Sequence, residues 1–391
     1  MGESNVPLLP SSLRSLRVAF AHDWLITWRG GEKVLLAMAA LFPEAPIATL
    51  FHERGAMPQA LEDHPIATSW LDRVPFARQR HRHALPLMPL AMRALELPEV
   101  DLVISSSHCV AKAIPVPKGA RHLSYVHAPL RYMWDRFPDY FGPGRASWPV
   151  RVGARLLRPS FQAWDVATSK SVDRFVANSR HVARQISQRY HRRASVIHPP
   201  VELDRFMKEP LEGTGRGGYF LWVGALAPYK RVDLAVEAFR RTGLPLWVAG
   251  SGQSTQWLRG LPGNVKVLGQ VTDDALPKLY RDARALIFPG VEDFGITPLE
   301  AQASGRPVIA FAEGGALETV TPRTGLFFPE QSVSALEYAL GRFDAFERDF
   351  SPAVARAWAE GFGLAAFQTA ILEEVTKVME GHEAMRRGPP G

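Results

Sequence analysis

Residues 285–309, with the sequence ALIFPGVEDFGITPLEAQASGRPVI, are the most informative stretch of this chain. The apolar residues 285–288 predict a buried strand, a glycine-containing loop follows, and a Thr-Pro pair predicts the opening of a helix. Two acids bracket this turn, because Glu292 lies in the loop and Glu300 in the first helical turn. The free amides of such a turn, with the positive end of the helix dipole behind them, favour phosphate oxygens.

The same residues also allow a purely structural interpretation. Thr297 at the N-cap, Pro298 at the first helical position and Glu300 three residues after Thr297 would make an ordinary capping box. This window alone therefore leaves a helix cap and a ligand site equally open.

Short apolar runs alternate with helical patterns along the chain, which predicts parallel sheets covered by helices. Pro199-Pro200 and the glycine-rich residues 212–218 separate two such series. The fold class is therefore α/β, with two doubly wound domains whose ligands are expected at the carboxyl ends of strands. The predicted strands are residues 18–21, 47–51, 102–105, 122–126, 175–177, 195–197, 219–223, 246–249, 265–268, 285–288 and 308–311, and the predicted helices are residues 32–41, 181–190 and 351–380.

Composition sets the broad class. The chain has 391 residues and 46% apolar content, enough for about two domains with a sizeable core. The net charge of +7 favours anionic partners such as phosphates, acidic lipid or nucleic acid. One cysteine, Cys109, excludes an intramolecular disulfide and a cysteine-cluster metal site. Because neither a signal-peptide core nor an apolar run of membrane-spanning length is present, we expect a cytoplasmic protein.

Several predicted strand ends carry residues suited to an anion. Gly30 and Gly31 follow the first strand and would let amides approach a diphosphate, although paired glycines are more often structural. Lys230 and Arg231 bring two cations to a helix start, where they oppose the helix dipole unless they hold an anion. His127 follows another strand, where a histidine is often only a hydrogen-bonded loop residue.

The combination of motifs resembles the retaining glycosyltransferases of family 4 over about residues 17–380. The motif with the most weight is the pair Glu292 and Glu300 at its Glu-x7-Glu spacing. The chain is most similar to the bacterial mannosyltransferase branch that builds O-antigen and exopolysaccharide units. The segments that carry the resemblance are RGGEKVL, YVHAPLRYMWD, FVANSRHVARQI, VGALAPYKRVDLAVEAF, LGQVTDDALPKLY and VEDFGITPLEAQASGRPVIA.

This resemblance implies a GT-B fold, with two Rossmann-like doubly wound domains facing across a cleft. Residues 16–200 would form the acceptor side, residues 201–362 the donor side, and residues 363–385 a terminal helix that crosses back to the first domain. It also implies catalysis without a metal or a cofactor, with a GDP- or UDP-linked sugar as co-substrate.

The resemblance further assigns roles to single residues. Lys230 would neutralise the donor diphosphate, Glu292 would contact the transferred sugar, and His127 would lie beside the sugar and the acceptor. Glu300 would hold the ribose hydroxyls. The other implied substrate-binding residues are Gly30 and Gly31 near the diphosphate, Arg231, Val271 in the base pocket, Asp293, Phe294, Gly295, Ile296 and Thr297 in the phosphate loop, and Arg131, Tyr132 and Trp134 on the acceptor side.

One position departs from the family pattern. Family members commonly carry an arginine directly after the glycine of the donor loop, where this chain has Ala225. Either Arg231 or another loop residue compensates, or the donor is bound less tightly. For retention of configuration the family is thought to use same-face attack, and Glu292 as a covalent nucleophile is the alternative.

The expected function is transfer of a hexose, preferentially mannose from GDP-mannose, to a lipid-linked saccharide. The basic and apolar residues 76–97 and 151–158 suit an anionic membrane surface, or else are amphipathic helices packed on the sheet. Alternatives are a UDP-sugar enzyme of the same family, an epimerase or phosphorylase, and a sugar-nucleotide-binding protein with a degenerate site. A missing dinucleotide fingerprint and nucleic-acid module disfavour an oxidoreductase and a nucleic-acid partner.

Overall fold

The structure, a computed structural model, describes residues 9–144, 146–252 and 260–387. The chain divides into two compact units. Unit 1 consists of Met1–Pro200 with Leu364–Gly391, and unit 2 of Val201–Gly363.

Each unit is built on one parallel sheet. The seven strands of unit 1 lie in the order β3-β2-β1-β4-β5-β6-β7, and the six strands of unit 2 in the order β10-β9-β8-β11-β12-β13. Among these paired strands every pairing is parallel. The strands are β1 (Val18–His22), β2 (Ile47–Thr49), β3 (Ile66–Thr68), β4 (Leu102–Ser107), β5 (Arg121–Val126), β6 (Arg174–Ala177), β7 (Ala194–Val196), β8 (Phe220–Val223), β9 (Leu246–Ala249), β10 (Val265–Gly269), β11 (Leu286–Phe288), β12 (Val308–Phe311) and β13 (Gly325–Phe328).

Helices follow most strands, as a parallel sheet requires, because parallel neighbours can be joined only by a crossover connection. The helices are α1 (Gly30–Ala39), α2 (Gln59–Glu62), α3 (Met88–Arg93), α4 (Phe137–Phe141), α5 (Trp148–Thr168), α6 (Arg180–Tyr190), α7 (Asp204–Met207), α8 (Val232–Thr242), α9 (Leu276–Asp282), α10 (Thr297–Ala303), α11 (Ala316–Thr319), α12 (Val333–Gly341), α13 (Phe343–Asp349), α14 (Pro352–Glu360) and α15 (Leu364–Arg387).

The central strands are buried on both faces, which explains their nearly continuous apolar sequences. All residues of β1 and all residues of β12 are buried. In unit 1 the last helix, α15, contributes to the same core: Phe367 packs against Tyr125 of β5, and Gln368 donates a hydrogen bond to the carbonyl of Ala37. The last helix of the chain therefore belongs to unit 1.

The predicted class of two doubly wound α/β domains is confirmed. Two short strands, β3 and β13, escaped prediction, and the predicted strand 47–51 ends at Thr49. The predicted helix 351–380 is two helices, since residues 361–363 interrupt it between α14 and α15. Glycine at both ends of this interruption accounts for the break, because glycine is the least favourable helix residue after proline.

Candidate functional site

The strand order places a topological switch point in each sheet. In unit 2 the connection that follows β8 leads toward β9, whereas β11 on its other side leads toward β12. The loops that leave β8 and β11 therefore separate and open a crevice at the carboxyl ends of these strands, where ligands bind in open α/β sheets. Lys230 follows β8 and Glu292 follows β11.

Lys230 and Glu292 form an ion pair in this crevice. The Nζ atom of Lys230 lies 2.7 Å from Oε1 of Glu292. Gly224 allows this approach, because a Cβ atom there would lie 3.0 Å from Cδ of Lys230. Burial opposes the ammonium charge, but the Glu292 carboxylate outweighs it, so the pKa of Lys230 is raised. The lysine is therefore a permanent cation at neutral pH.

Glu300 lies in the first turn of α10 and has its own partners. The hydroxyl of Tyr280 donates to Oε2 of Glu300 at 2.8 Å, and a guanidinium nitrogen of Arg205 lies 3.7 Å from Oε1. Burial, and then the negative charge of Glu300, raise the pKa of Tyr280, so this phenol stays a donor. The carboxylate is thus held in place with further acceptor capacity.

The capping-box interpretation of this helix start is wrong. Thr297 is the first helical residue, not the residue before the helix, and the start of α10 has no side-chain cap hydrogen bond. The Thr297 hydroxyl oxygen is buried without a hydrogen-bond partner among the described residues. Glu300 points to Tyr280 and Arg205, so these side chains are arranged for something other than capping.

The loop between β11 and α10 has a backbone that only glycine permits at one position. Gly295 has φ +89°, and a Cβ atom there would lie 2.9 Å from Cζ of Phe288. The side chain of Phe294 is buried in the core and packs against Phe362. The amide of Gly315 donates to the carbonyl of Glu292 at 2.8 Å and braces the loop. The loop therefore offers backbone groups, and the Phe294 ring belongs to the core.

Two other predicted residues of unit 2 lie apart from the ion pair. Arg231 adopts a left-handed conformation with φ +50°, and its guanidinium donates to Asp233 and to Gln331. It therefore points elsewhere than Lys230, although it follows it directly. Val271 follows β10 and packs, partly buried, against the core cluster that contains Tyr280. The Arg231 and base-pocket roles stay predictions.

In unit 1 the switch point lies between β1 and β4. Asp23, directly after β1, is fully buried and binds the loop after β4. Burial opposes its charge, but His108 outweighs this effect, and the pKa of Asp23 is lowered. Nδ1 of His108 lies 3.0 Å from Oδ2 of Asp23. The carboxylate accepts backbone hydrogen bonds from His108 at 2.7 Å, Cys109 at 2.9 Å, Val110 at 2.6 Å and Ala111 at 2.7 Å.

Two buried histidines lie beside the start of α1. A Cβ atom on Gly31 would lie 3.7 Å from Cε1 of His22 and 3.9 Å from Nε2 of His127. Nε2 of His127 is 2.9 Å from the Ser106 hydroxyl, and Nε2 of His22 is 3.8 Å from a Glu32 carboxylate oxygen. The predicted residues Gly31 and His127 are therefore neighbours, and Gly30 and Gly31 are the first helical residues of α1.

The imidazole of His127 is held neutral. Burial and the nearby His108, His22 and Arg131 lower its pKa well below the ordinary value. For Glu32, burial opposes the charge while His22 favours it, and the pKa is lowered. A neutral imidazole can donate at one nitrogen and accept at the other, which suits a hydroxyl-bearing ligand.

The three predicted acceptor-side residues have contacts within unit 1. Tyr132 is buried and packs edge-on against Tyr140, with ring centroids 4.7 Å apart. Trp134 donates its indole NH to Asp165 at 2.8 Å and lies under the Arg189 guanidinium. The amide of Arg131 donates to the carbonyl of His108. These contacts support the loop, and stacking on an acceptor sugar stays a prediction.

Sequence reasoning missed the residues that support the predicted ones. His22 ends β1, and Asp23 and His108 directly follow strands, a signal that strand-end reasoning used for other polar residues. Tyr280 and Arg205 carried no such signal, because they lie within helices α9 and α7 and not at the end of a strand.

Among the residues that the structure describes, no group of three or more His, Cys, Asp or Glu side chains is placed to hold a metal ion. Within the same residues, no helix is long and apolar enough to cross a membrane.

Comparisons with known proteins agree with this geometry. Residues 28–205 match the family described as Glycosyltransferase Family 4, and residues 206–343 the family described as Glycosyl transferases group 1. The chain is 28% identical over 253 residues to a D-inositol 3-phosphate glycosyltransferase of Streptomyces scabiei, and 31% identical over 257 residues to that of Geodermatophilus obscurus. Each match covers 56% of this chain and 56% of the relative, so the chain spans little more than half of their length.

Two solved structures resemble nearly the whole chain. HepE of Anabaena, solved in complex with UDP, has a TM-score of 0.67 at 17% identity, covering 93% of this chain and 100% of HepE. Sucrose-phosphate synthase of Thermosynechococcus elongatus has a TM-score of 0.69 at 17% identity with the same coverage.

The two parallel sheets and these likenesses define an α/β protein of the GT-B fold. Together the two family models run from residue 28 to residue 343. By sequence, residues 28–205 therefore carry a domain of the Glycosyltransferase Family 4 type, and residues 206–343 one of the Glycosyl transferases group 1 type.

Proposed function

We propose that this protein is a retaining glycosyltransferase that moves a hexose from a nucleotide-sugar donor bound by unit 2. The observation that carries the proposal is the ion pair of Lys230 and Glu292 at the switch point between β8 and β11. A partly buried cation and a partly buried carboxylate at a ligand crevice suit a donor that has both a diphosphate and hydroxyl groups.

The proposed chemistry assigns each charge a task. Breaking the bond between sugar and diphosphate develops oxocarbenium character on the sugar and negative charge on the departing phosphate. Lys230, a permanent cation in this site, stabilises the leaving charge. Glu292 accepts hydrogen bonds from hydroxyls of the sugar. In the same-face scheme, the departing phosphate oxygen takes the proton of the acceptor hydroxyl, so retention requires no covalent enzyme intermediate.

Glu300 is proposed to bind the ribose of the donor. Its carboxylate is held by the Tyr280 hydroxyl, with Arg205 nearby, and retains lone pairs for two neighbouring hydroxyls. A donor with 2′-deoxyribose should therefore bind the wild type less tightly and bind the Glu300→Gln variant with no additional loss. If the Glu300→Gln variant loses as much affinity on the change to 2′-deoxyribose as the wild type does, another residue binds the ribose.

Unit 1 is proposed to bind the acceptor beside His127. The imidazole is neutral and lies next to the start of α1. It can therefore donate a hydrogen bond to a sugar hydroxyl, or accept one from it, without carrying a charge. The acceptor that we favour is a saccharide linked to a polyprenyl diphosphate, in cell-surface polysaccharide biosynthesis.

GDP-mannose is the donor that the motif pattern favours, and a UDP-sugar is the second candidate. The second candidate is supported by HepE, which has the same fold and was solved with UDP and with UDP-glucose. Calorimetric titration with GDP and UDP, followed by GDP-mannose and UDP-glucose, separates them. Tighter binding of UDP and UDP-glucose would replace our first choice while leaving the ion-pair site in place.

Activity is tested with the donor that binds and a lipid extract containing polyprenyl-linked saccharides. We expect transfer to the lipid-linked fraction, unchanged by EDTA, and strongly reduced in Glu292→Gln. Donor binding without transfer to any acceptor would favour a sugar-nucleotide-binding protein. A strict requirement for added magnesium would contradict the metal-free scheme.

A further inference from the structure

Helix α5 has an outer face that is unusual for a surface helix. The helix runs from Trp148 to Thr168, and its buried residues Ala154, Phe161 and Asp165 turn one side toward unit 1. The opposite side of such a helix is normally polar, because the apolar stripe of a surface helix faces the core.

On α5 the opposite side is apolar. Trp148, Val152 and Leu156 follow each other at intervals of four residues, so they lie on one face of the helix. All three are exposed, Trp148 to 72% and Leu156 to 74%. Leu157, also exposed, adjoins Leu156 at the edge of this face. We call Trp148, Val152, Leu156 and Leu157 the outer face of α5.

The charges beside the outer face have one sign. From residue 148 to residue 164 the sequence has three arginines and no acidic residue. Arg158 is used inside unit 1, where it donates to the carbonyl of Met133. Arg151 and Arg155 have no ion-pair partner among the residues that the structure describes, and their charges border the apolar surface.

The helix is firmly held at its other end. The ammonium of Lys112 is 2.7 Å from Oδ1 of Asp165 and also donates to Thr168 at 2.8 Å. Oδ2 of the same aspartate accepts from Trp134 and from Tyr190, each at 2.8 Å. This network and the buried Ala154 hold α5 against unit 1, with the apolar residues on the side that faces away from it.

We propose that the outer face of α5 binds the surface of an anionic bilayer, with the helix lying in the interface. Tryptophan and leucine on one face with arginines beside them are the composition of interfacial helices, and anionic headgroups attract the two arginines. A protein partner of matching shape explains the apolar residues but does not require arginines free of acidic partners. A second exposed apolar group, Phe76, Leu87 and Leu90, lies on segments that, like α5, cover the core cluster containing Met88 and Phe161.

This inference goes beyond the proposed function, because bilayer binding needs neither donor nor acceptor. The test uses the full chain and sedimentation with vesicles of phosphatidylglycerol and phosphatidylethanolamine, compared with vesicles of phosphatidylcholine. We expect binding to the anionic vesicles, and a loss of about tenfold or more in the double variant Trp148→Ser and Leu156→Gln. The matched control is Leu317→Gln and Tyr338→Ser, two exposed apolar residues of unit 2, which should bind like the wild type.

A second variant tests the charges. Replacing Arg151 and Arg155 by glutamine should weaken binding to anionic vesicles about tenfold and leave binding to phosphatidylcholine unchanged. Since Trp148, Arg155 and Leu156 are exposed and Arg151 is partly exposed, thermal unfolding should confirm that the variants fold. Equal binding by the wild type and both α5 variants would overturn the proposal. So would a concentration-dependent dimer in sedimentation velocity that the α5 variants abolish while no vesicles are bound, because the partner would then be a second copy.

Discussion

The two switch points of this molecule have the same topology but are lined by different titratable side chains. In both units the first and fourth strands of the sheet are neighbours and their loops separate. In unit 1, His22 ends β1, and the loops after β1 and β4 contain Asp23 and His108. In unit 2, the loops after β8 and β11 contain Lys230 and Glu292. The histidine distribution follows the same division: of twelve histidines in the chain, eleven precede residue 201, the twelfth is His382, and unit 2 has none.

This difference teaches how one architecture is adapted to two tasks. The raised pKa of Lys230 keeps this lysine of unit 2 positively charged throughout the neutral pH range, which suits the binding of a diphosphate. The lowered pKa of His127 gives unit 1 a neutral donor and acceptor, which suits sugar hydroxyls. The comparison therefore predicts that the two units respond differently to charge removal, to pH and to steric filling.

The largest expected effect is the loss of the charge in unit 2. In Lys230→Ala we expect kcat/KM to fall by about 10² to 10³, because one preorganised donor to a developing charge is typically worth about 3–4 kcal/mol. Binding of the nucleoside diphosphate, measured by calorimetry, should weaken as well. Lys278→Ala is the matched control, since Lys278 pairs with Asp282 on an exposed helix surface. Wild-type turnover in Lys230→Ala would remove this residue from the site.

The next prediction concerns pH and separates the units by stability. The pKa of the fully buried His122 in β5 is lowered by burial from 6.5 to about 4. Between these values the unfolded chain binds the extra proton, so stability is complete above about pH 6.5 and falls as the pH is lowered toward 4. From pH 7 to pH 5 this histidine alone should cost about 2 kcal/mol.

Amide hydrogen exchange measures this effect separately in each unit. The opening free energies of β4 and β5 should decrease at pH 5, and those of β8 and β11 should change little because unit 2 has no histidine. Replacing His122 by asparagine should reduce the response of unit 1. An equal decrease in both units would show that histidines do not control the acid sensitivity.

The next prediction adds a methyl group beside the histidines of unit 1. This change should lower activity without lowering stability. In Gly31→Ala the new methyl group would meet its nearest atoms, on His22 and His127, at 3.7 Å and 3.9 Å, which is ordinary contact. Thermal unfolding should be unchanged or slightly raised, since alanine favours a helix over glycine by up to about 1 kcal/mol. The methyl group would, however, fill the space beside the His127 ring, and kcat/KM should fall about tenfold.

The control for this variant is Gly341→Ala at the end of α12, where an added Cβ atom meets nothing within 4 Å. It should leave activity unchanged. If Gly31→Ala is as active as the wild type, the space beside His127 is not used by a substrate.

How much of this site could be predicted depended on distance along the chain. Lys230, Glu292 and Glu300 could be proposed as site residues because each lies in a short strand-loop-helix window that can be recognised locally. The contact of Asp23 with the loop at His108 joins residues 85 positions apart, and only the adjacency of β1 and β4 creates it. No local pattern specifies that adjacency, so His22 and His108 were not assigned.

The missed elements have local causes. The strand β3 has only three residues, Ile-Ala-Thr, and its burial pattern lacks a buried face. The strand β13 begins with Gly325, which lies against the backbone of β12, so its first residue weakens the strand pattern. Thr297 was open to a cap interpretation because the sequence signature of a capping box does not reveal where Glu300 points.

The smallest expected effect is a gain, and it tests whether unit 2 has fewer cations than its site can use. Ala225 is exposed directly after Gly224, where family members commonly have arginine, and Arg231 is bound to Asp233 and Gln331 instead. In Ala225→Arg the affinity for the nucleoside diphosphate should therefore rise about threefold to tenfold, and less at high salt, because an exposed charge is screened. Ala225→Gln, with a similar reach and no charge, should bind like the wild type. An equal gain in both variants would assign the effect to packing, and no gain in either would mean that Lys230 already supplies the cation that the diphosphate needs.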